Sequence, residues 1–263
     1  MMVTCPMKSK LLCLVTGSVL MLSPKVFASS AEQCFDSYNE LTSTALSAAR
    51  QQRQMDGFAA TMLSQWQLQA SNCQGTGIYE ARLAQLHILH GDYAKAQAVL
   101  TNTQLVGDYG RYLELATLWL EYSQLAVDAD PTLLLTRLKT FTAKHADFAE
   151  GQALYGFALT MAQQPAEAIV ALKKSLTAPT DLYDTYKALT LNYVNLQQYS
   201  AANEMVNEAY GMNPAFSSDP EAMLMAIKIS IELKDFKTVD NLFKVLNART
   251  PQAMQYEAHT YDL

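Results

Sequence analysis

The chain has 263 residues, of which 50% are hydrophobic, and its formal charge at pH 7 is −6. An acidic surface repels nucleic acid and anionic lipid, so this composition argues against a nucleic-acid-binding protein and favours neutral or basic partners. Beyond the N-terminal segment, charged or amide residues interrupt every apolar run before it reaches the roughly 20 residues of a membrane-spanning helix, so we expect no stable membrane insertion.

The N-terminal segment has the layout of a cleavable secretory signal. Lys8 and Lys10 precede an apolar run from Leu11 to Leu22, and small residues stand at Val26 and Ala28. The run is too short for the alternative, a retained membrane anchor. We therefore expect cleavage after Ala28 and a periplasmic or secreted product. Removal of residues 1–28, which contain three lysines and no acid, would change the formal charge from −6 to −9.

Residues 29–76 are predicted to form an N-terminal helical hairpin that caps the fold, with helices near 34–50 and 56–72. Cys34 begins the first of these helices and Cys73 follows the second, and no other cysteine remains after cleavage. Antiparallel helices bring these two ends together, so we expect a disulfide in an oxidising compartment. A redox-active pair is the alternative, which the absence of a Cys-x-x-Cys spacing disfavours. Two cysteines are too few for a structural zinc site.

An internal repeat of 34 residues follows the hairpin. Residues 149–182 and 183–216 align without a gap, and the alignment pairs Tyr155 with Leu189, Leu159 with Tyr193, Ala168 with Ala202 and Leu172 with Val206. Two more units occupy 77–110 and, after an insertion of three residues, 220–253. The intervening stretch 111–148 is a longer, degenerate unit whose second helix runs from Pro131 to Lys144, with Asp130 as its cap. Two short helices cannot bury their apolar faces alone, so this period predicts stacked helix–turn–helix units.

The 183–216 window resembles the tetratricopeptide (TPR) family. It supplies the family's large, small and closing residues at Tyr186, Leu189, Tyr193, Tyr199, Ala202, Val206, Ala209 and Pro214. The small site on the first helix holds Gly156 in the preceding window, whereas Thr190 departs from the pattern. The resemblance implies an all-α chain of tandem helix–turn–helix repeats that form a right-handed superhelical solenoid.

The same resemblance implies a partner-binding groove, because the first helix of each TPR unit lines the concave face. The register places on it Phe157, Thr160, Met161, Lys187, Leu191, Val194, Asn195, Leu224, Lys228 and Ile231. This mainly apolar set suits an amphipathic helix or an extended apolar segment of a protein partner. Lys187 matches one position of the family's carboxylate clamp, but Leu191 replaces the neighbouring Asn, so we do not assign that activity. The alternative is that some of these residues are buried against the following unit.

The sequence contains no short motif of catalysis or cofactor binding, so we expect no enzyme, no cofactor and no metal. His87 and His90 are three residues apart on one helix but lack a third ligand nearby. Glu114 and Glu121 could act as an acid–base pair on a glycan, although helices often carry such pairs as solvated faces. A factor that binds or processes cell-wall glycan is therefore one alternative function, and a structural homo-oligomer, such as a homodimer, is another.

Residues 254–263 are predicted to form a C-terminal tail of the repeat stack. The signal and the repeats together predict an exported scaffold or adaptor. By family analogy, we expect it to serve a bacterial envelope assembly or secretion system.

Overall fold

The computed structural model describes residues 23–52, 57–103, 109–126, 129–177, 183–212 and 219–249, and these residues form helices and no strand. The helices are α1 Ser23–Gln52, α2 Phe58–Gln67, α3 Ala70–Cys73, α4 Ile78–Leu89, α5 Tyr93–Asn102, α6 Gly110–Gln124, α7 Thr132–Lys144, α8 Ala149–Met161, α9 Pro165–Ser175, α10 Tyr183–Asn195, α11 Tyr199–Met212, α12 Pro220–Glu232 and α13 Phe236–Arg249. None of the helices in these ranges is long and apolar enough to cross a membrane. Most of the expected signal, residues 1–22, and the expected tail, residues 254–263, lie outside the described ranges.

The N-terminal hairpin is longer at its start than the sequence pattern predicts. Its first helix begins at Ser23, so Cys34 lies inside α1 instead of at its beginning. The second arm is divided into α2 and the short α3, which ends at Cys73. Cys34 and Cys73 form a disulfide in the structure, the pairing that the sequence predicts. This bond joins the two arms of the hairpin at one end.

The core of the hairpin is built around Trp66, which is completely buried. Its ring packs edge-on against Tyr38 of α1 at 5.0 Å between centroids, and it stacks on Tyr79 of α4 at 5.4 Å. The indole nitrogen donates a hydrogen bond of 3.2 Å to the backbone oxygen of Tyr79. Since this burial satisfies both the apolar ring and its single donor, Trp66 fixes the hairpin against the first repeat.

The repeats stack as a continuous array of paired helices. We call α4, α6, α8, α10 and α12 the inner helices and α5, α7, α9, α11 and α13 the outer helices. Among the described elements, each inner helix packs against its own outer helix. Successive units are joined by contacts of an inner helix with the preceding outer helix and with the next inner helix. This nearest-neighbour pattern is typical of a helical solenoid.

In four of the five units, the turn between the two helices repeats one backbone conformation. Gly91, Gln163, Gln197 and Lys234 all have positive φ values, between 56° and 83°. In the unit 149–182, the amide of Gln164 donates to the carbonyl of Leu159 at 2.9 Å, which is the long-range bond of a Schellman helix end. Because three non-glycine residues adopt this conformation, the turn is imposed by the packing of the units and does not require glycine.

The helices of a unit cross at small residues. Gly156 of α8 lies against Leu172 of α9, and a Cβ added to Gly156 would come within 2.5 Å of the Leu172 Cγ. Ala168 and Ala202 occupy the equivalent place on their outer helices and have no exposed surface. The small side chains allow the close approach of the helices, and Ala168, Leu172 and Ala202 belong to one continuous core of the central units.

Candidate binding groove

The inner helices lie on the more tightly curved side of the stack. Arg82 of α4 reaches past the intervening helix α6 and bonds to Glu150 of α8, at 2.6 Å and 2.5 Å from its two terminal nitrogens. A direct contact between inner helices two units apart is the arrangement expected on the side of a curved stack that has the shorter path. The inner helices therefore line the concave face.

Arg82 closes this face at its N-terminal end. Its guanidinium is buried, with 4% of the side chain exposed, and it lies 5.3 Å from the ring of Phe35, 4.9 Å from Tyr38 and 5.6 Å from Tyr112. Burial lowers the pKa of Arg82, but the charge of Glu150 and the hydrogen bonds to it raise that pKa by more. The pair is therefore ionised and bidentate. Side chains of α1, α6 and α8 therefore cover Arg82 at this end of the face.

The predicted groove residues of α8 lie where the exposed part of the concave face begins, beyond the Arg82 end. Met161 is 36% exposed, whereas Phe157 is only partly exposed and contacts the Trp119 ring at 6.1 Å between centroids. The Thr160 hydroxyl donates to the backbone oxygen of Gly156 at 2.8 Å and accepts from the Asn192 amide at 2.7 Å. Thr160 therefore ties α8 to α10 and has little hydrogen-bonding capacity left for a ligand.

The residues of α10 divide into exposed and covered positions. Leu191 is 41% exposed and Asn195 is exposed, but Val194 is buried with only 8% of its surface accessible. Lys187 forms ion pairs with Glu221 and, at 3.5 Å, with Asp219. Burial lowers the pKa of Lys187, and these two acids raise it by more, so the amine is charged and already neutralised by the next unit.

The residues of α12 form the C-terminal end of the groove. Leu224 is 43% exposed and Ile231 is 37% exposed. Lys228 lies between them along the helix, is exposed, and makes no ion pair within the described part of the chain. Exposed apolar side chains on α8, α10 and α12 therefore follow one another along the concave face.

The structure adds two aromatic residues of α6 that the sequence reasoning missed. Trp119 and Tyr122 are half-buried, and their rings pack edge-on with centroids 5.7 Å apart. Trp119 also contacts Phe157, so it extends the apolar surface by one unit. The length of the unit 111–148 could have identified them. A shift by its 38 residues aligns Trp119 with Phe157 and Tyr122 with Thr160.

The other candidate residues are held in structural roles. Burial lowers the pKa of His87, whose buried Nδ1 has no hydrogen-bond partner and lies 3.9 Å from Asp92 Oδ2. Lys144 holds Glu114 at 3.3 Å, while Arg137 holds Glu121. Different cations of α7 engage these two carboxylates, which is unlike a shared acid–base cleft. No group of three or more potential metal ligands occurs among the described residues.

No protein-family model and no curated protein matches the sequence. Solved structures do match. A mutant form of MamA, a TPR-like protein, aligns over 66% of this chain and 97% of its own length, with a TM-score of 0.51 and 17% sequence identity. A chain of the APC/C hetero-tetramer Cut9-Hcn1, whose subunits are TPR proteins, aligns over 76% of this chain with a TM-score of 0.57 and 13% identity. This chain spans 38% of the length of that second protein.

The chain has the fold of a TPR solenoid. The expected all-α, right-handed superhelical architecture is thereby confirmed. At these identities the likeness establishes the fold alone. Function must therefore be argued from the side chains that this TPR fold presents on its concave face.

Proposed function

We propose that this protein is an exported scaffold that binds an apolar segment of a protein partner along the inner helices α6 to α12. The observation that carries the proposal is the row of exposed apolar side chains on successive inner helices, namely Met161, Leu191, Leu224 and Ile231. Contiguous exposed apolar surface on a soluble fold is typical of an interaction site. A solenoid supplies such a surface in extended form, because each unit repeats the same inward face.

The electrostatics at Lys187 and Arg82 argue against recognition of a terminal carboxylate at these two residues. Lys187, the residue that matches a carboxylate clamp, is occupied by Asp219 and Glu221. Arg82 is buried and held by Glu150. A carboxylate at either residue would have to displace acids that belong to the protein itself, so we expect the middle of the groove to bind its ligand by apolar contacts.

Export is supported by the N-terminal sequence and by the disulfide. The Lys8–Ala28 segment reads as a signal, and a bonded Cys34–Cys73 pair is stable in an oxidising compartment. We accordingly propose a mature chain that starts with a hairpin cap, continues through repeat units 77–110, 111–148, 149–182, 183–216 and 220–253, and serves an envelope assembly or secretion machine.

Site-directed photocrosslinking tests the proposal in the native host. A photoreactive amino acid is placed at Leu191 or Leu224 on the inner helices, and at Leu133 or Val170 as controls. The control residues are apolar and more exposed, at 74% and 57%, but they lie on the outer helices α7 and α9. We expect a discrete adduct with one protein from the inner positions only. Equal adducts from Val170, or none from Leu191 and Leu224, would reject the groove as the binding face.

A further inference from the structure

The concave face changes its chemistry along the stack. The shifts of 38, 34 and 37 residues that align successive units bring four residues into one equivalent position, and we call Trp119, Phe157, Leu191 and Lys228 the inner column. The column is aromatic on α6 and α8, aliphatic on α10 and cationic on α12. A ligand that lies along it therefore meets a different group at each end.

The α6 end of the column is an aromatic corner. Trp119 contacts both Tyr122, at 5.7 Å between ring centroids, and Phe157, at 6.1 Å. All three side chains are half-buried, so each still has accessible surface. The indole nitrogen of Trp119 donates no hydrogen bond within the described residues, in contrast to that of Trp66. This corner can take a large apolar side chain against its rings and leaves one donor for a backbone carbonyl.

The α12 end of the column carries the cation that is available to a ligand. Lys228 is exposed and has no ion-pair partner in the described ranges, whereas Lys187 and Arg82 are neutralised within the protein. Leu224 and Ile231, one helical turn away on either side of Lys228, are both exposed. An acidic side chain placed here would gain a charge partner beside apolar surface.

The distance between the two ends sets the length that a ligand needs to reach both. Trp119 and Lys228 are separated by three steps between inner helices, and packed helices lie about 8–10 Å apart, which gives a span of roughly 24–30 Å. An extended chain advances about 3.3 Å per residue and covers this span with roughly seven to nine residues. A helical ligand would need roughly 16–20 residues for the same span, so a short segment reaches both ends only when it is extended.

We infer that the groove takes an extended polypeptide segment with an aromatic or large aliphatic residue at the α6 end and an acidic residue, roughly seven to nine positions away, at the α12 end. This inference rests on the proposed function and adds to it the chemistry of the ligand and the positions of its two anchor residues along the groove. The charge complementarity at Lys228 and the ring surface at Trp119 carry it.

The test is a selection of random peptides of about twelve residues, displayed on phage, against the folded chain with its disulfide intact. We expect the enriched peptides to share an aromatic or large aliphatic residue and an acid at the stated separation. Synthetic versions of the enriched peptides should bind the Lys228→Glu variant about threefold to tenfold more weakly than the unmodified protein, since an exposed ion pair contributes little free energy. They should bind Trp119→Ala at least tenfold more weakly, because buried aromatic anchors dominate interface energies.

Matched controls separate the outcomes. Lys237→Glu makes the same charge change at an exposed lysine of α13, on the outer side of the last unit, and should leave binding unchanged. In a Trp66→Phe background, binding should alter the emission of Trp119, which is then the only tryptophan. Circular dichroism establishes that each variant is folded before binding is compared.

Two results would overturn the inference in different ways. Peptides whose binding depends on Leu191 but is unaffected by both Trp119→Ala and Lys228→Glu would refute the stated ligand while leaving the proposed function intact. If no enriched peptide depends on Leu191, the inference and the proposed groove both fall.

Discussion

Gly156 lies in the middle of α8 and Gly211 lies one residue before the end of α11, and the space around them differs. A Cβ added to Gly156 would meet Leu172 Cγ at 2.5 Å and the Leu172 backbone nitrogen at 3.2 Å, whereas nothing lies within 4 Å of one added to Gly211. Gly156→Ala therefore forces α8 and α9 apart, and we expect the free energy of unfolding to fall by about 1–3 kcal/mol. Gly211→Ala should be neutral or stabilising by up to about 1 kcal/mol, because alanine favours the helix.

Urea unfolding of the two variants beside the unmodified protein measures this difference. The two substitutions add the same methyl group to a helix, so an intrinsic helix preference alone would shift both midpoints in the same direction. A stabilised Gly156→Ala variant would therefore refute the close crossing of α8 and α9.

Sequence register predicts which side chains face inward but not how deeply each is covered. Leu191 and Leu224 are exposed, whereas Val194, which the register places on the same face, is buried in one cluster with Ile229 of the next inner helix. The sequence register also does not predict that acidic residues neutralise Lys187. One of its two partners, Asp219, comes just before the unit that starts after the three-residue insertion, where the repeat pattern no longer fixes positions.

At the scale of elements, the ion pair between Arg82 and Glu150 joins α4 to α8 across one intervening unit. Both groups are largely buried, with 4% and 16% of their side chains exposed. Removing one partner leaves a buried charge uncompensated, so Arg82→Met or Glu150→Met should each cost about 3–5 kcal/mol. The double variant should be more stable than either single variant, because apolar pairs often replace buried ion pairs without loss.

A double-mutant cycle from chemical denaturation measures the coupling between the two residues. If the losses in the free energy of unfolding are additive in the double variant, the two side chains act independently. The ion pair would then not be what joins α4 to α8. The exposed pair Lys144–Glu114 is the comparison, and we expect a coupling free energy of about 1 kcal/mol or less between these two residues.

The sequence predicts helices of this kind well, because their apolar spacing and turn residues repeat. It does not predict the Arg82 cluster, since Glu150 is 68 residues away and the rings of Phe35 and Tyr38 come from a hairpin without the repeat signature. It also misses Trp119, because the longer unit 111–148 breaks the 34-residue register. Long-range contacts depend on the curvature of the stack, which no local pattern encodes.

At the scale of the whole molecule, the two ends of the described stack are secured differently. The N-terminal hairpin has the Cys34–Cys73 bond and the fully buried Trp66, and it contributes rings to the Arg82 cluster. The last described outer helix, α13, belongs to a small separate cluster and leaves Phe236 66% exposed. Because units of a solenoid are stabilised mainly by their neighbours, we expect local stability to rise from α13 towards the centre.

Native-state hydrogen exchange followed by mass spectrometry tests this gradient before and after reduction of the disulfide. With the bond intact, peptides of α13 should exchange faster than those of α8 and α9, because exchange reports local opening. Reduction removes a cross-link between residues 39 apart, which in the chain-entropy account contributes about 4 kcal/mol. We expect α1 and α2 to lose protection on reduction, whereas α8 to α10 keep theirs. A uniform loss of protection along the whole chain would show that the solenoid unfolds as one cooperative unit, and the nearest-neighbour account of its stability would then be wrong.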